Sequence, residues 1–168
     1  MSLPIRAPSE KLINAQDIER AGFPWRYIDN IEPRDLEANR AIIVNTDRED
    51  GPGVHWIAII PLHNREVFIF DPLGANNSRV DSAGVPSMNE LKLDLHRAKF
   101  RMYPYAVQMK SSTHCGWFSL YVAKMLQDHL IVHPKASARE LNALIEDKFG
   151  RSADPADERE MRGGFSSM

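Results

Sequence analysis

The chain has 168 residues, of which 43% are hydrophobic, and a formal net charge of −2. One cysteine excludes an internal disulfide, and the near-neutral charge excludes a basic nucleic-acid-binding surface over the whole chain. Because no apolar run approaches the length of a membrane span or a secretory signal, we expect no membrane association and no secretion. The length predicts a single domain over residues 1–150, followed by a flexible polar tail over residues 151–168.

The first third of the chain alternates short predicted helices with a strand. Apolar spacing predicts a helix over Ser9–Ala21, which Gly22 and Pro24 would end. A further helical turn or two is predicted over Asp35–Arg40, after a proline. The apolar run Ala41–Asn45 has the length of a strand.

A β-hairpin is the clearest prediction for the middle of the chain. Val54–Leu62 and Glu66–Asp71 are rich in β-branched and aromatic residues, and the three residues between them suit a hairpin connection. Their continuous apolarity predicts a sheet covered on both faces. Met88–Ala98 has the spacing of a surface helix, and Phe100–Met109 reads as an extended segment whose Pro104 favours the edge of a sheet.

Two helices are predicted in the last third of the chain, so the predicted fold class is α+β. Residues 108–126 contain a run that is apolar around most of a helix, which is typical of a helix in a domain core. Ser111, Ser112 and Thr113 precede it, and these residue types cap helix starts. Ser137–Phe149 is amphipathic, with Ser137 as N-cap, Glu140 at the capping-box position and Gly150 as terminator.

Cys115 is the candidate nucleophile, because the predicted helix places it in the first turn. There the unpaired backbone N–H groups and the helix dipole favour negative charge, which lowers the pKa of a thiol and populates the reactive thiolate. The alternative is that Cys115 is one more small apolar residue of a buried helix, a common place for free cysteine.

Partners for such a nucleophile occur at the ends of other predicted elements. His55 opens the first hairpin strand and Asp71 closes the second, so an antiparallel pair would bring the imidazole and the carboxylate together as base and orienting group. Gln108, seven residues before Cys115, has an amide that could donate to an oxyanion. Alternatively, His55 is a half-exposed polar residue and Asp71 a turn former. The scattered histidines show no ligand spacing, so we expect no metal.

These motifs together resemble a known family. The runs AIIVNTDREDGPGVHWIAI, VFIFDPLG and Q-(six residues)-CGWFSLYV, in this order, resemble the adenovirus-type maturation protease (adenain), which shares a fold with the Ulp-type SUMO peptidases. The resemblance covers roughly residues 40–126. It implies a papain-like cysteine protease fold of the adenain/Ulp type, with a central mixed sheet, a buried catalytic helix and flanking helices.

The resemblance also implies a role for each site residue. The nucleophile would be Cys115, with His55 as its base and Asp71 as the group that orients the base. Gln108 would donate to the oxyanion, and Trp56 and Gly116 would line the substrate site. Adenain has Glu where this chain has Asp71, whereas the Ulp branch uses Asp. Adenain is activated by DNA and by a peptide disulfide-linked to a second cysteine. Since this chain has one cysteine and a net charge of −2, we expect at most a weak DNA or peptide activator, no cofactor, and a monomer.

The implied activity is cleavage after Gly in Gly-Gly-like sites of viral capsid precursor proteins, inside the virion and the host cell (nucleus or cytoplasm). Two alternatives are a deconjugating peptidase for a ubiquitin- or SUMO-like modifier and a catalytically idle binding scaffold of the same fold. The tail sequence Met161–Phe165 (MRGGF) resembles the cleavage pattern of adenain-like enzymes. It is either a site for self-cleavage or inhibition, or a flexible segment that happens to contain two glycines.

Overall fold

A computed structural model describes residues 13–46, 55–72, 74, 99–105, 107 and 115–150, without the side chains of residues 29, 99, 100 and 115. The predicted helix over Met88–Ala98 and the tail lie outside these ranges. The described elements are α1 (Ala15–Arg20), β1 (Trp25–Tyr27), two 3-10 turns (Ile28–Asn30 and Pro33–Asp35), β2 (Ile42–Asn45), β3 (Trp56–Pro61), β4 (Glu66–Phe70), β5 (Lys99–Met102), α2 (Cys115–Val132) and α3 (Ala138–Phe149).

The described strands form one mixed five-stranded sheet in the order β1-β2-β3-β4-β5. β3 is antiparallel to both β2 and β4, whereas the two outer pairs, β1–β2 and β4–β5, are parallel. The predicted hairpin is therefore confirmed, with Ala58 opposite Phe70 and Ile60 opposite Phe68. β5 lies at one end of the described sheet, which agrees with the edge position predicted for this segment.

Both faces of the sheet are buried, as the continuous apolar strands predict. Along each central strand, successive side chains point to opposite faces. Ala58 and Phe68 therefore lie in the core shared with the helices, and Ile57 and Ile69 lie in a second core on the other face. Ile28, next to β1, packs into that second core. A sheet covered on both faces can hold side chains firmly at its strand ends.

The C-terminal end predicted for the first helix is confirmed, whereas the helical turns predicted after it are wrong. α1 ends at Arg20 and is followed by Gly22 at φ +87°. The predicted start at Ser9 lies outside the described residues. Instead of helix over residues 35–40, there is a 3-10 turn over Pro33–Asp35. Asn39 adopts φ +63°, which a right-handed helix does not admit, and its backbone N–H donates to the carbonyl of Pro61 at 2.7 Å.

The two C-terminal helices are predicted well. α2 is buried along much of its length against the sheet. α3 begins after Ser137, whose Oγ accepts a hydrogen bond from the Glu140 N–H at 3.2 Å, and it ends before Gly150 at φ +72°. The Glu140 carboxylate lies 2.5 Å from Nε2 of His129 on α2, so it links the two helices. In the part of the chain that the structure describes, no helix combines the length and the apolar character that a membrane crossing needs.

Candidate active site

The site begins with a histidine and an aspartate at the open end of the β3–β4 hairpin. His55 directly precedes β3 and Asp71 directly follows β4. Their side chains meet, with Nε2 of His55 2.6 Å from Oδ1 of Asp71. Side-chain exposure is only 8% for His55 and 1% for Asp71. The predicted contact is thus present, and the histidine is buried rather than half-exposed.

The Asp71 segment also forms the turn that its sequence suggests. The Gly74 N–H donates to the Asp71 carbonyl at 2.9 Å, and the Val107 N–H donates to the Pro72 carbonyl at 2.8 Å. The backbone of the Asp-Pro-Leu-Gly sequence therefore makes a turn while the Asp71 side chain contacts His55, and the role of Asp71 as the orienting group stays a prediction. These backbone bonds hold the main chain on either side of the Asp71–Pro72 peptide.

The start of α2 packs against the residue that follows His55. Ser119, in the second turn of α2, donates from Oγ to the backbone carbonyl of Trp56 at 3.0 Å. Gly116 also faces Trp56. The backbone of Cys115, the first described residue of α2, is thereby held next to the start of β3. The Cys115 side chain and all of Gln108 lie outside the described parts, so their distances to His55 stay predictions.

Gly116 is buried where α2 packs closely against Ile13 and Trp56. A Cβ built there would lie 1.6 Å from Cγ2 of Ile13 and 3.2 Å from Cδ1 of Trp56. Only a residue without a side chain allows this approach without displacing Ile13. The structure therefore gives Gly116 a packing role, and its contact with substrate stays a prediction.

Trp56 is supported by aromatic residues of β1. Its ring meets Trp25 edge to face with centroids 5.9 Å apart, and Trp25 meets Tyr27 in the same way at 5.2 Å. Nε1 of Trp25 donates to Oε1 of Glu19 at 3.0 Å. Such pairs hold the ring orientations. These contacts constrain the orientation of the Trp56 ring. Its role as a substrate-lining residue stays a prediction.

Sequence reasoning missed Trp25 and Ser119 as parts of this region. Ser119 gave a signal, because it is a small polar residue within the apolar first half of α2, four positions after Cys115 and hence on the same helical face. Trp25 gave little signal in the sequence, since a strand of three residues is too short for a periodic pattern. Among the described residues, no group of three or more His, Cys, Asp or Glu is arranged to hold a metal ion.

Residues 23–134 match the sequence profile of a family described as adenovirus endoprotease. The match covers well over half of the chain, from the residues before β1 to the end of α2, and includes the positions of His55, Asp71, Gln108 and Cys115. A search of curated proteins found no match.

Proposed function

Because this chain belongs to the adenovirus endoprotease family and is accordingly a cysteine protease, we propose that it cleaves viral capsid precursor proteins after glycine, in Gly-Gly-like sites, during virion maturation. The observation that carries the proposal is the buried His55–Asp71 contact. It lies beside the helix that begins at Cys115. A buried imidazole held by a carboxylate is what a thiol nucleophile needs as its base.

In the proposed mechanism, each ring nitrogen of His55 has its own role. An ionised carboxylate can only accept a hydrogen bond, so Nε2 of His55 carries the proton that Asp71 Oδ1 accepts. Nδ1 is then the nitrogen that takes the proton of the Cys115 thiol. This tautomer is held in place by the 2.6 Å contact, and the imidazolium that forms is stabilised by the adjacent carboxylate.

Catalysis would proceed through an acyl-enzyme. The Cys115 thiolate attacks the carbonyl carbon of the substrate glycine, and the oxyanion that forms accepts hydrogen bonds from the Gln108 amide and from backbone N–H groups at the start of α2. When the C–N bond breaks, protonated His55 donates its proton to the leaving amine, which leaves a thioester on Cys115. A water molecule, deprotonated by His55, then hydrolyses the thioester and regenerates the thiol.

Glycine specificity would come from the shape of the groove. Paired glycines suit a narrow channel that admits backbone but no side chain. We propose that Trp56, held by Trp25, forms one wall of that channel. The protein would act as a monomer inside the virion and the host cell, with at most weak activation by DNA or a peptide.

The test is covalent labelling of Cys115 by a peptide vinyl sulfone ending in Gly-Gly, measured by intact mass. Wild type should gain one adduct, and His55→Ala should react about 10²–10⁴-fold more slowly, the usual range for a lost general base. His63→Ala is the matched control, because His63 is exposed in the turn at the opposite end of β3. An unlabelled wild type would refute the proposal.

Cleavage assays then separate the two substrate classes. Peptides from capsid precursors should be cut after the second glycine, whereas tails of ubiquitin-like modifiers should be cut poorly. Faster cleavage of the modifier tails would instead make the protein a deconjugating peptidase. A wild type that cleaves neither would leave the binding scaffold as the better description.

A further inference from the structure

We propose that Ser119 is a positioning residue, whose hydrogen bond to the backbone of Trp56 sets the alignment of the Cys115 turn of α2 with His55. The inference rests on the proposed function, since it takes Cys115 and His55 as the reacting pair. Ser119 does not touch the reacting atoms in this proposal. It acts through the two backbones that carry them.

The Ser119 hydroxyl bonds to an unusual partner for a serine inside a helix. Such a serine commonly bonds back to the carbonyl four residues earlier in its own helix. Ser119 is 0% exposed, yet its Oγ donates across the helix–sheet interface to the Trp56 carbonyl at 3.0 Å. The interface around it is apolar, with Phe118 and Val122 as buried neighbours on α2. A buried hydrogen bond across such an interface favours the alignment in which its donor and acceptor meet.

The two ends of this bond are close to the two reacting residues. Ser119 is four residues after Cys115, so it lies on the same helical face about 6 Å along the axis, at 1.5 Å per residue. Trp56 is the direct neighbour of His55 in the chain. A single hydrogen bond therefore connects the turn after the nucleophile to the residue after the base. Any slide or rotation of α2 on β3 must strain it.

The point at which α2 docks lies near the end of the β3–β4 ladder. In the β3–β4 register, Ala58 lies opposite Phe70. β4 ends at Phe70, and Pro72, which has no N–H to donate to a ladder, follows two residues later. Ser119 donates to the Trp56 carbonyl at this point. Asp71 directly follows β4, and its carboxylate contacts His55, the chain neighbour of Trp56, so the end of β4, the carboxylate and the docking point of α2 lie close together.

Gly116 allows the close approach of α2 to β3 that accompanies this bond. Its missing side chain lets α2 approach Trp56 and Ile13, because a Cβ there would lie 3.2 Å from Cδ1 of Trp56. Gly116 thus permits the close approach, and Ser119 selects one alignment within it. An error of about 1 Å in such an alignment can cost on the order of 10²-fold in rate.

The experiment separates positioning from simple stabilisation. Ser119→Ala removes the hydroxyl, Ser119→Thr keeps it, and Ser119→Val has the shape of Thr without it. Ser137→Ala is the matched control, because it also removes one serine hydrogen bond, at the start of α3. Each variant, with wild type and His55→Ala, is assayed for thermal unfolding, for kcat and KM on a Gly-Gly peptide, and for the pH dependence of Cys115 alkylation by iodoacetamide.

We expect the Ser119→Ala variant to fold. Its kcat should be about 10–100-fold lower than that of wild type, with KM unchanged. The midpoint of its alkylation profile should move toward that of free cysteine, about pH 8.5. Ser119→Thr should restore most of kcat, whereas Ser119→Val should not. Ser137→Ala should lower the unfolding temperature without changing kcat or the alkylation profile. These differences would not arise if Ser119 only stabilised the fold.

Two results would overturn the inference: wild-type kcat and alkylation profile in Ser119→Ala, or equal kcat in the Thr and Val variants. If the proposed function itself is wrong, the assays give a different pattern of results. In that case wild type does not turn over the peptide, and its alkylation profile is the same as that of His55→Ala. If Ser119→Ala does not unfold cooperatively, the difference in kcat between Ser119→Thr and Ser119→Val tests the inference instead.

Discussion

Replacing Gly116 with alanine should destabilise the protein, although the same change stabilises most helices. Alanine is favoured over glycine inside a helix by about 1 kcal/mol. Here the added Cβ would lie 1.6 Å from Cγ2 and 2.9 Å from Cβ of Ile13. Carbon atoms pack best at about 3.5–4.0 Å. The variant must therefore move Ile13 or α2, and Ile13, 7% exposed, directly precedes the N-cap of α1.

The magnitude follows from the two opposing effects. Inserting a methyl into a packed core costs about 1–3 kcal/mol, and the 1.6 Å overlap places Gly116→Ala at the upper end of that range. Subtracting about 1 kcal/mol for helix propensity leaves a loss of about 2 kcal/mol. For a chain of this length, that lowers the unfolding temperature by roughly 4–8 °C.

Urea unfolding of a double-mutant cycle provides the assay. Ile13→Ala removes Cγ2, so Gly116→Ala should cost much less in that background. Ile13→Val is the matched control, because valine keeps both γ carbons and should leave the full cost in place. The reasoning is refuted if Gly116→Ala stabilises the wild type, or if the cost is equal in the two Ile13 backgrounds.

Three further predictions concern the site and the tail. Asp71→Asn should lower kcat by about 10²–10⁴-fold, while Asp128→Asn, which removes an exposed ion pair on α2, should leave kcat unchanged; steady-state kinetics of the two variants checks this. The Cys115 thiolate should persist below neutral pH in wild type and not in His55→Ala, so alkylation profiles that coincide would contradict an activated pair. On incubation, wild type should lose the residues after Gly164, whereas Cys115→Ala and Gly164→Val should not. Intact mass measures this loss, and full-length wild type after incubation would make the MRGGF match a coincidence.

Elements with strong local signals could be predicted from the sequence. The β3–β4 hairpin and α3 have apolar patterns of the right period and turn or capping residues at their ends, so their own residues largely determine them. The helical turns expected after Asp35 failed because Asn39 adopts a left-handed conformation, held by its backbone bond to Pro61. That partner is distant in sequence, and no local pattern reveals it.

For the site, the sequence determined which residue types stand at the ends of which elements. It predicted His55 at the opening of one strand, Asp71 at the close of its partner strand and Cys115 at the start of a helix, and an antiparallel hairpin then brings the first two together. Only the tertiary structure decided that β1 supports Trp56, that α2 docks on β3 at Gly116, and that Ser119 bonds to the Trp56 carbonyl. The physical reason is that these contacts join residues more than 25 positions apart, and packing of whole elements, rather than local periodicity, sets the distances between them.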